Sequence, residues 1–360
     1  MSVSIEIVDS PELRSSFVDF YDSVYAYRAA RWPAKKDQEH FLLSGESPLT
    51  AGKPFRALLA IDDGKVVARA IALVDSNYLA HWNDRTGHLI LFEALDGSDV
   101  AVKRLADAAC AWLSQHGIES VRAGYGLLDT PFPIDEYELL PPINLRQSPK
   151  YYHRLLKNAG FQTEKGWVDY KQRITDQVQE TWRSTRAQML QAGYDFIPFA
   201  EIEERQLVKD LTEIRNDTFK AHWGSAPETE DEIRYLLKAY EPVGALTTSM
   251  LAYRDGQAVG MAVAAPEMTS LAIVTPPRVL DESEKLNILL FGVRESDRGK
   301  GVHFGMAASV YLDLATRGAK YVDGTLVLDD NWPSRHSAEF AGLSVWASYV
   351  TYRRNFRARS

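Results

Sequence analysis

At 360 residues, 45% of them hydrophobic and 25% charged, the chain has globular composition and enough length for two cores of ordinary size. A net charge of −8 argues against a broad nucleic-acid surface, and no apolar run approaches a bilayer span. Met1 to Asp9 lacks the basic and apolar regions of a secretory signal, and the single cysteine, Cys110, cannot form an internal disulfide. Cys110 lies in an apolar run and reads as core. A reducing, cytoplasmic setting with no membrane contact is expected.

In chain order, the first clear element is a hairpin. Leu58 to Leu73 reads LLAIDDGKVVARAIAL, two apolar strands about an Asp-Gly turn. A strand follows at His88 to Phe92, then a helix from about Val100 to His116 closed by Gly117, and a strand beginning at Val121. A short helix from Tyr151 ends at Gly160-Phe161. Asp176 to Ala192 has helical periodicity, with Val178, Trp182, Met189 and Leu190 on one apolar face. Two more helices are expected at 203–222 and 228–240.

The first pattern then repeats. Met250 to Ala265 reads MLAYRDGQAVGMAVAA and aligns without gaps on the first hairpin, sharing the Asp-Gly turn. A strand at Leu286 to Val293, a helix at Val302 to Thr316 closed by Gly318, a strand at Tyr321 to Leu328, and a short helix from Pro333 to Gly342-Leu343 complete the second copy. The boundary falls near residue 175. Four arginines at the C-terminus, Arg353, Arg354, Arg357 and Arg359, read as a solvated tail.

The segment richest in chemistry is LLFGVRESDRGKGVHFGMAA, Leu289 to Ala308. A strand runs into Arg298-Gly299-Lys300-Gly301, and a helix follows directly. The glycines let successive N–H groups point to one place, where the helix terminus adds partial positive charge. A pyrophosphate suits such a corner. In its setting this loop resembles the pyrophosphate loop of the GNAT acyltransferases, pattern Q/R-x-x-G-x-G/A. Arg298, Gly301 and His303 occupy the specified positions, His303 where the family has a small residue. Asn331, with Gly342-Leu343 eleven residues on, resembles the family's closing N…GF segment. Across most of its length the chain is also similar to bacterial tandem-GNAT proteins.

The resemblance implies an α/β (α+β) fold of two tandem GNAT-like domains, each a mixed, mostly antiparallel twisted sheet flanked by helices. Residues 1–174 would hold a degenerate donor site, and 175–360 the working loop at 298–303. It implies acyl-CoA (acetyl-CoA in the simplest case) as co-substrate, with the pyrophosphate on the backbone of Arg298, Gly299, Lys300, Gly301, Val302 and His303. The pantetheine arm would lie along Phe291 and Val293. The acceptor would be an amine of a small molecule or peptide, and the protein a monomer or homodimer. The family's tyrosine acid is replaced by Ala338. His336, on the same short helix, is the candidate acid or else a surface histidine, with Asn331 beside it. Glu93, at a strand end in the first copy, is either a base for the amine or a paired structural carboxylate. His81-Trp82 and His222-Trp223 read as loop or core aromatics. Loops between 123 and 150 are expected to shape the acceptor pocket. No metal-ligand spacing is present. Two other readings stay open: an amide-forming transferase using aminoacyl-tRNA, the one nucleic acid partner considered, and a non-catalytic binding module.

Overall fold

The computed structural model describes residues 3–356. The first copy contains β1 (Ser4–Ile7), α1 (Pro11–Tyr25), β2 (Ala30–Arg31), α2 (Lys36–Ser44), β3 (Phe55–Asp62), β4 (Lys65–Leu73) and α3 (Ser76–Trp82). It continues through β5 (Thr86–Ala94), α4 (Asp99–Gln115), β6 (Ser120–Ala123), β7 (Phe132–Pro133), α5 (Tyr152–Asn158) and β8 (Gln162–Arg173). The second opens with α6 (Asp176–Gln191) and then runs β9 (Tyr194–Pro198), α7 (Glu204–Phe219), α8 (Glu230–Tyr240), α9 (Ala245–Thr248), β10 (Met250–Arg254) and β11 (Gln257–Ala265). It ends with β12 (Ile273–Val274), β13 (Leu286–Val293), α10 (Val302–Thr316), β14 (Tyr321–Leu328), α11 (Trp332–Phe340) and β15 (Ser344–Asn355).

Both expected hairpins form. In each, the turn needs two successive residues with positive φ, and Asp63-Gly64 and Asp255-Gly256 supply them at 47° and 76°, and 50° and 73°. Only a glycine second and an aspartate first make that cheap. Each hairpin packs one face on a glycine-closed helix, α4 or α10, and the other on two helices, α1 and α2 or α7 and α8.

The two copies share one sheet, with strand order β1-β3-β4-β5-β6-β15-β8-β14-β13-β11-β10-β9 and β7 beside β15. The last strand of each copy crosses over: β8 pairs with β14 of the second copy, and β15 with β6 of the first. β8 and β15 then pair with each other down the seam. Each copy therefore closes the open edge of the other's parallel pair, and an edge that would attract foreign strands is removed. Arg353 and Arg354 belong to this seam. They lie on β15, where Arg353 bonds Glu164 at 3.4 Å and Arg354 reaches Asp107 at 2.5 Å, so neither is part of a solvated tail. Arg357 and Arg359 lie outside the described residues.

α6, which opens the second copy, is laid along α10. Trp182 stacks on Tyr311 with ring centroids 4.3 Å apart, and Gly305 permits the approach: a Cβ there would meet Phe196 at 2.5 Å and Met189 at 2.7 Å. Of the four residues expected on its apolar face, Val178, Trp182 and Met189 pack inward, whereas Leu190, one step around the helix from Met189, is 43% exposed. Cys110 is buried in the first core, as expected of core filler. Among the described residues no helix is long and apolar enough to cross a membrane, and no His/Cys/Asp/Glu group is arranged for a metal.

Candidate functional site: two forks, one plugged and one open

In each copy a short parallel ladder ends and its strands part. β5 and β6 separate after Leu89–Ala123, and β13 and β14 after Leu289–Gly324. The backbone groups past each parting point need partners, and the two copies differ in what supplies them.

The first fork is filled by its own chain. β5 bulges at Leu91, which takes φ 50°, and the groups beyond are taken by side chains. Arg146 Nη1 donates to the Phe92 carbonyl (3.1 Å), Tyr151 Oη to that of Ala94 (2.8 Å), and the Ala94 N–H to Tyr152 Oη (2.9 Å). Glu93 is locked in the same cluster, accepting from Tyr25 at 2.8 Å and Tyr152 at 2.6 Å, with Arg146 at 3.9 Å. Burial raises its pKa, against the pull of Arg146 and Arg69. The loop entering α4 carries carboxylates that Arg154 neutralises, reaching Asp96 at 2.7 Å and Asp99 at 3.3 Å. Glu93 is thus paired within the first copy, both tyrosine hydroxyls donating to its Oε2.

The second fork is open. β13 pairs residue for residue with β11; past Leu289 the Arg298 side chain bonds the Val293 carbonyl at 3.1 Å, and among the described residues no tyrosine cluster like that of the first copy joins it. At its outer end, Gly299 and Gly301 hold φ values of 75° and 83°, and Gly301 caps α10 with no side chain to satisfy the first-turn N–H groups. A Cβ at Gly299 would meet nothing within 4 Å; one at Gly301 would approach Met189 Sδ at 3.3 Å, so α6 walls one side of the corner. An uncapped helix N-terminus approached by glycine backbone fits an anion. The cations are partly committed. Arg298 folds back onto the carbonyls of Val293 (3.1 Å) and Thr218 (3.2 Å), and Lys300 leans on Asp297 at 3.3 Å. Arg298 therefore braces the loop, while Lys300 stays exposed beside it.

Val302 is buried, and Val293 and Phe291 face the α10 side of the sheet. His303 is half-buried, its ring centroid 3.8 Å from that of Phe304, and burial favours its neutral form. Asn331 caps α11, accepting the Ser334 N–H at 3.4 Å. His336 is exposed beside Trp332, at 5.9 Å between ring centroids. α11 leaves Trp332 54% and Phe340 83% exposed, and Phe340 meets Phe304 of α10 at 5.7 Å. The loop, Phe304 and α11 thus border the same outer end of the fork, with His336 turned to solvent.

At its inner end the fork meets a cavity of about 450 Å³ on the α7–α8 face. Leu290, Thr325 and Leu326 form its wall at the parting point, and Val263, Phe219 and Trp167 extend it. The cavity continues across the seam to His88 on β5, so from Val263 on β11 its lining spans six strand spacings, about 29 Å of sheet. Residues 298–303 lie outside its lining. Charges at its margin are neutralised in pairs: Lys53 with Glu232 at 2.5 Å, and Arg215 with Glu228 at 2.8 Å. His88 is pushed down to about 4 by burial, with Arg122 adding to it, so it is neutral. Its Nδ1 faces the Tyr125 carbonyl at 3.0 Å and must carry the proton. Segments 125–130 and 144–145, His81 and His222 all contribute to the lining.

The sequence reading missed two residues at the parting point. Asp169 on β8 and Asp323 on β14 are both fully buried. β14 bulges here, placing Thr325 and Leu326 opposite Asp169, with Leu326 at φ 47°. The Leu326 N–H donates to Asp169 Oδ1 (3.2 Å); Thr325 Oγ1 (2.7 Å) and Trp346 Nε1 (3.0 Å) donate to Asp323. Asp323, the lone charge in the apolar run Tyr321–Leu328, was a visible signal; its meeting with Asp169 was not, because it depends on the strand crossover.

No family model matches the chain. It is 25% identical over 325 residues to the bacterial ceramide synthase of Caulobacter vibrioides, covering 82% of each chain. It is 23% identical over 235 residues to protein YghO of Escherichia coli, covering 62% of this chain and 59% of that one. Among solved structures, a tandem GNAT protein from the clavulanic acid biosynthesis pathway matches over the full length of both chains, with TM-score 0.57 and 10% identity. A GCN5-related N-acetyltransferase from Sphaerobacter thermophilus gives TM-score 0.55 at 14% identity, covering 99% of this chain and 96% of that one. A fungal multi-domain GH3 β-N-acetylglucosaminidase with a GCN5-related glucosamine N-acetyltransferase region gives 0.61 at 18% identity; the match covers 98% of this chain and 38% of that one. The fold is that of tandem GNAT proteins, with one mostly antiparallel sheet flanked by helices.

Proposed function

We propose that this tandem GNAT-fold chain is an N-acyltransferase that joins the acyl group of an acyl-coenzyme A to an amine held in the seam cavity. The observation that carries the reading is the open second fork, with an uncapped helix N-terminus at one end and the cavity at the other. Backbone N–H groups of Gly299 to His303 receive the pyrophosphate. The freed edge of β13 beyond Leu289 receives the pantetheine amides as an added strand, and a β13 N–H polarises the thioester carbonyl at the parting point. The amine approaches from Leu290 and Thr325. Holding both partners across one fork supplies much of the acceleration, since effective molarities of oriented pairs are large.

The cavity's length and paired margin favour an elongated apolar acceptor over a peptide. The relative from Caulobacter vibrioides is named for making ceramide, an amide of a long-chain amine, which supports the same acceptor class. The test is thiol release and amide formation with acetyl-, octanoyl- or palmitoyl-coenzyme A and dodecylamine. We expect one thiol per amide formed. An absence of thiol release with every donor contradicts the reading.

A further inference from the structure

Any amine that attacks a thioester must lose a proton, and the departing thiolate must gain one. The residues expected to move that proton leave the step unassigned: Ala338 replaces the tyrosine, His336 is exposed, and Glu93 is bonded to Tyr25 and Tyr152 in the first copy. From the arrangement at the parting point we infer that the Asp169–Asp323 pair serves as the proton store of the reaction, reached from the cavity through the hydroxyl of Thr325. This rests on the acyl-transfer reading above and supplies the step it lacks.

The geometry is continuous. Thr325 lines the cavity at the fork and donates to Asp323 Oδ2 at 2.7 Å. Behind Asp323 stands Asp169, whose Oδ2 is buried and receives no donor from the described residues, so one proton shared between the carboxyls satisfies both. A second observation points to polar atoms of a ligand at the same place. Trp167, two residues before Asp169, lines the cavity, is 2% exposed, and has an indole Nε1–H without an acceptor. A buried unpaired donor is costly unless a bound molecule supplies oxygen.

Two carboxyls in contact do not both ionise near neutral pH. Burial is the largest cause in each case: it pushes Asp323 up to about 6 and raises Asp169 well above the usual range, with the neighbouring carboxyl adding to Asp169. Facing groups are Lys171 from β8, Tyr349 from β15 and Tyr311 from α10, with Glu136 and Asp281 beyond Lys171. At neutral pH the pair holds one proton and accepts a second.

The step balances without an added reagent. The amine nitrogen bonds to the thioester carbon; its proton passes to Thr325 Oγ1 as the Thr325 proton passes to Asp323. The carbon–sulfur bond breaks, and the stored proton returns by the same hydroxyl to the thiolate. Thr325 touches the reactants, and the carboxyl pair acts through it.

The experiment measures thiol release from palmitoyl-coenzyme A with dodecylamine across pH. In the wild type kcat should rise through about pH 6. Asp323→Asn should lower kcat by about 100-fold or more, with KM for palmitoyl-coenzyme A unchanged. Thr325→Val should do the same, with Thr325→Ser restoring the rate. Asp169→Asn, which removes the carboxyl sharing the stored proton, should displace the pH at which kcat rises; a merely structural pair would leave that pH unmoved. A wild type that releases no thiol overturns the acyl-transfer reading and this step with it. An active wild type whose rate survives Asp323→Asn, or in which Thr325→Val equals Thr325→Ser, overturns the proton store alone.

Discussion

Arg146→Met is expected to destabilise the protein by about 3–5 kcal/mol in denaturant unfolding at neutral pH, the largest single loss anticipated. Arg146 holds Asp129 through two nitrogens, at 2.7 and 2.9 Å, faces Glu93 at 3.9 Å, and lies over the Phe132 ring at 4.5 Å. Methionine keeps the packing but leaves Asp129 without its paired cation and Glu93 with only the pull of Arg69. The sign of the pH dependence follows from Glu93. Burial already raises its folded pKa above the unfolded value, and loss of Arg146 raises it further. Stability tied to its neutral form is fully present below the unfolded pKa and is lost as pH rises through the folded one. The gap between wild type and variant should therefore narrow toward acid pH. A gap under about 1 kcal/mol at neutral pH would contradict the plugged first fork.

Val263→Trp should cut kcat/KM for dodecylamine by about 100-fold while leaving coenzyme A affinity unchanged. Val263 pairs with Leu290 across β11 and β13 and forms the cavity wall beside the parting point. Its side chain borders open space, so an indole projects into the cavity with little overpacking. Denying an apolar acceptor about 100 Å² of burial removes about 2.5 kcal/mol, close to 100-fold. Steady-state kinetics with dodecylamine varied checks this. An unaltered rate would mean that the acceptor lies elsewhere.

Much of the local structure was legible because short-range rules decide it. The two Asp-Gly hairpins, the glycine-closed helices and the strand-to-helix loop at 298–301 follow from backbone preferences of a few residues. The crossover of β8 and β15 was not legible, since nothing in Gln162–Arg173 distinguishes β6 from β14 as a partner. That one ambiguity hid the carboxyl pair, the long cavity and the seam roles of Arg353 and Arg354. Helical periodicity placed α6 correctly yet put Leu190 on its buried face, because the sequence does not show that the face packed on α10 stops at Met189. Asn331 was singled out by resemblance to the closing N…GF segment and His336 by sharing the short helix with Ala338, but membership of a short helix does not say which side meets the fork. The structure gives Asn331 a capping role and turns His336 outward.

On the proposed function, an acyl carrier's phosphates rest on backbone amides at the mouth of α10. Calorimetric titration of coenzyme A into the wild type, Gly299→Asp and Gly299→Asn tests it most directly. Both substitutions bear the same left-handed backbone at φ 75° and enter open space, so only the carboxylate's charge separates them. A unit charge some 4 Å from phosphate at a protein surface is worth about 1–4 kcal/mol. The account predicts wild-type binding weakened at least about 10-fold more by aspartate than by asparagine. Equal affinity for the two variants, or no binding of coenzyme A to the wild type, would contradict it.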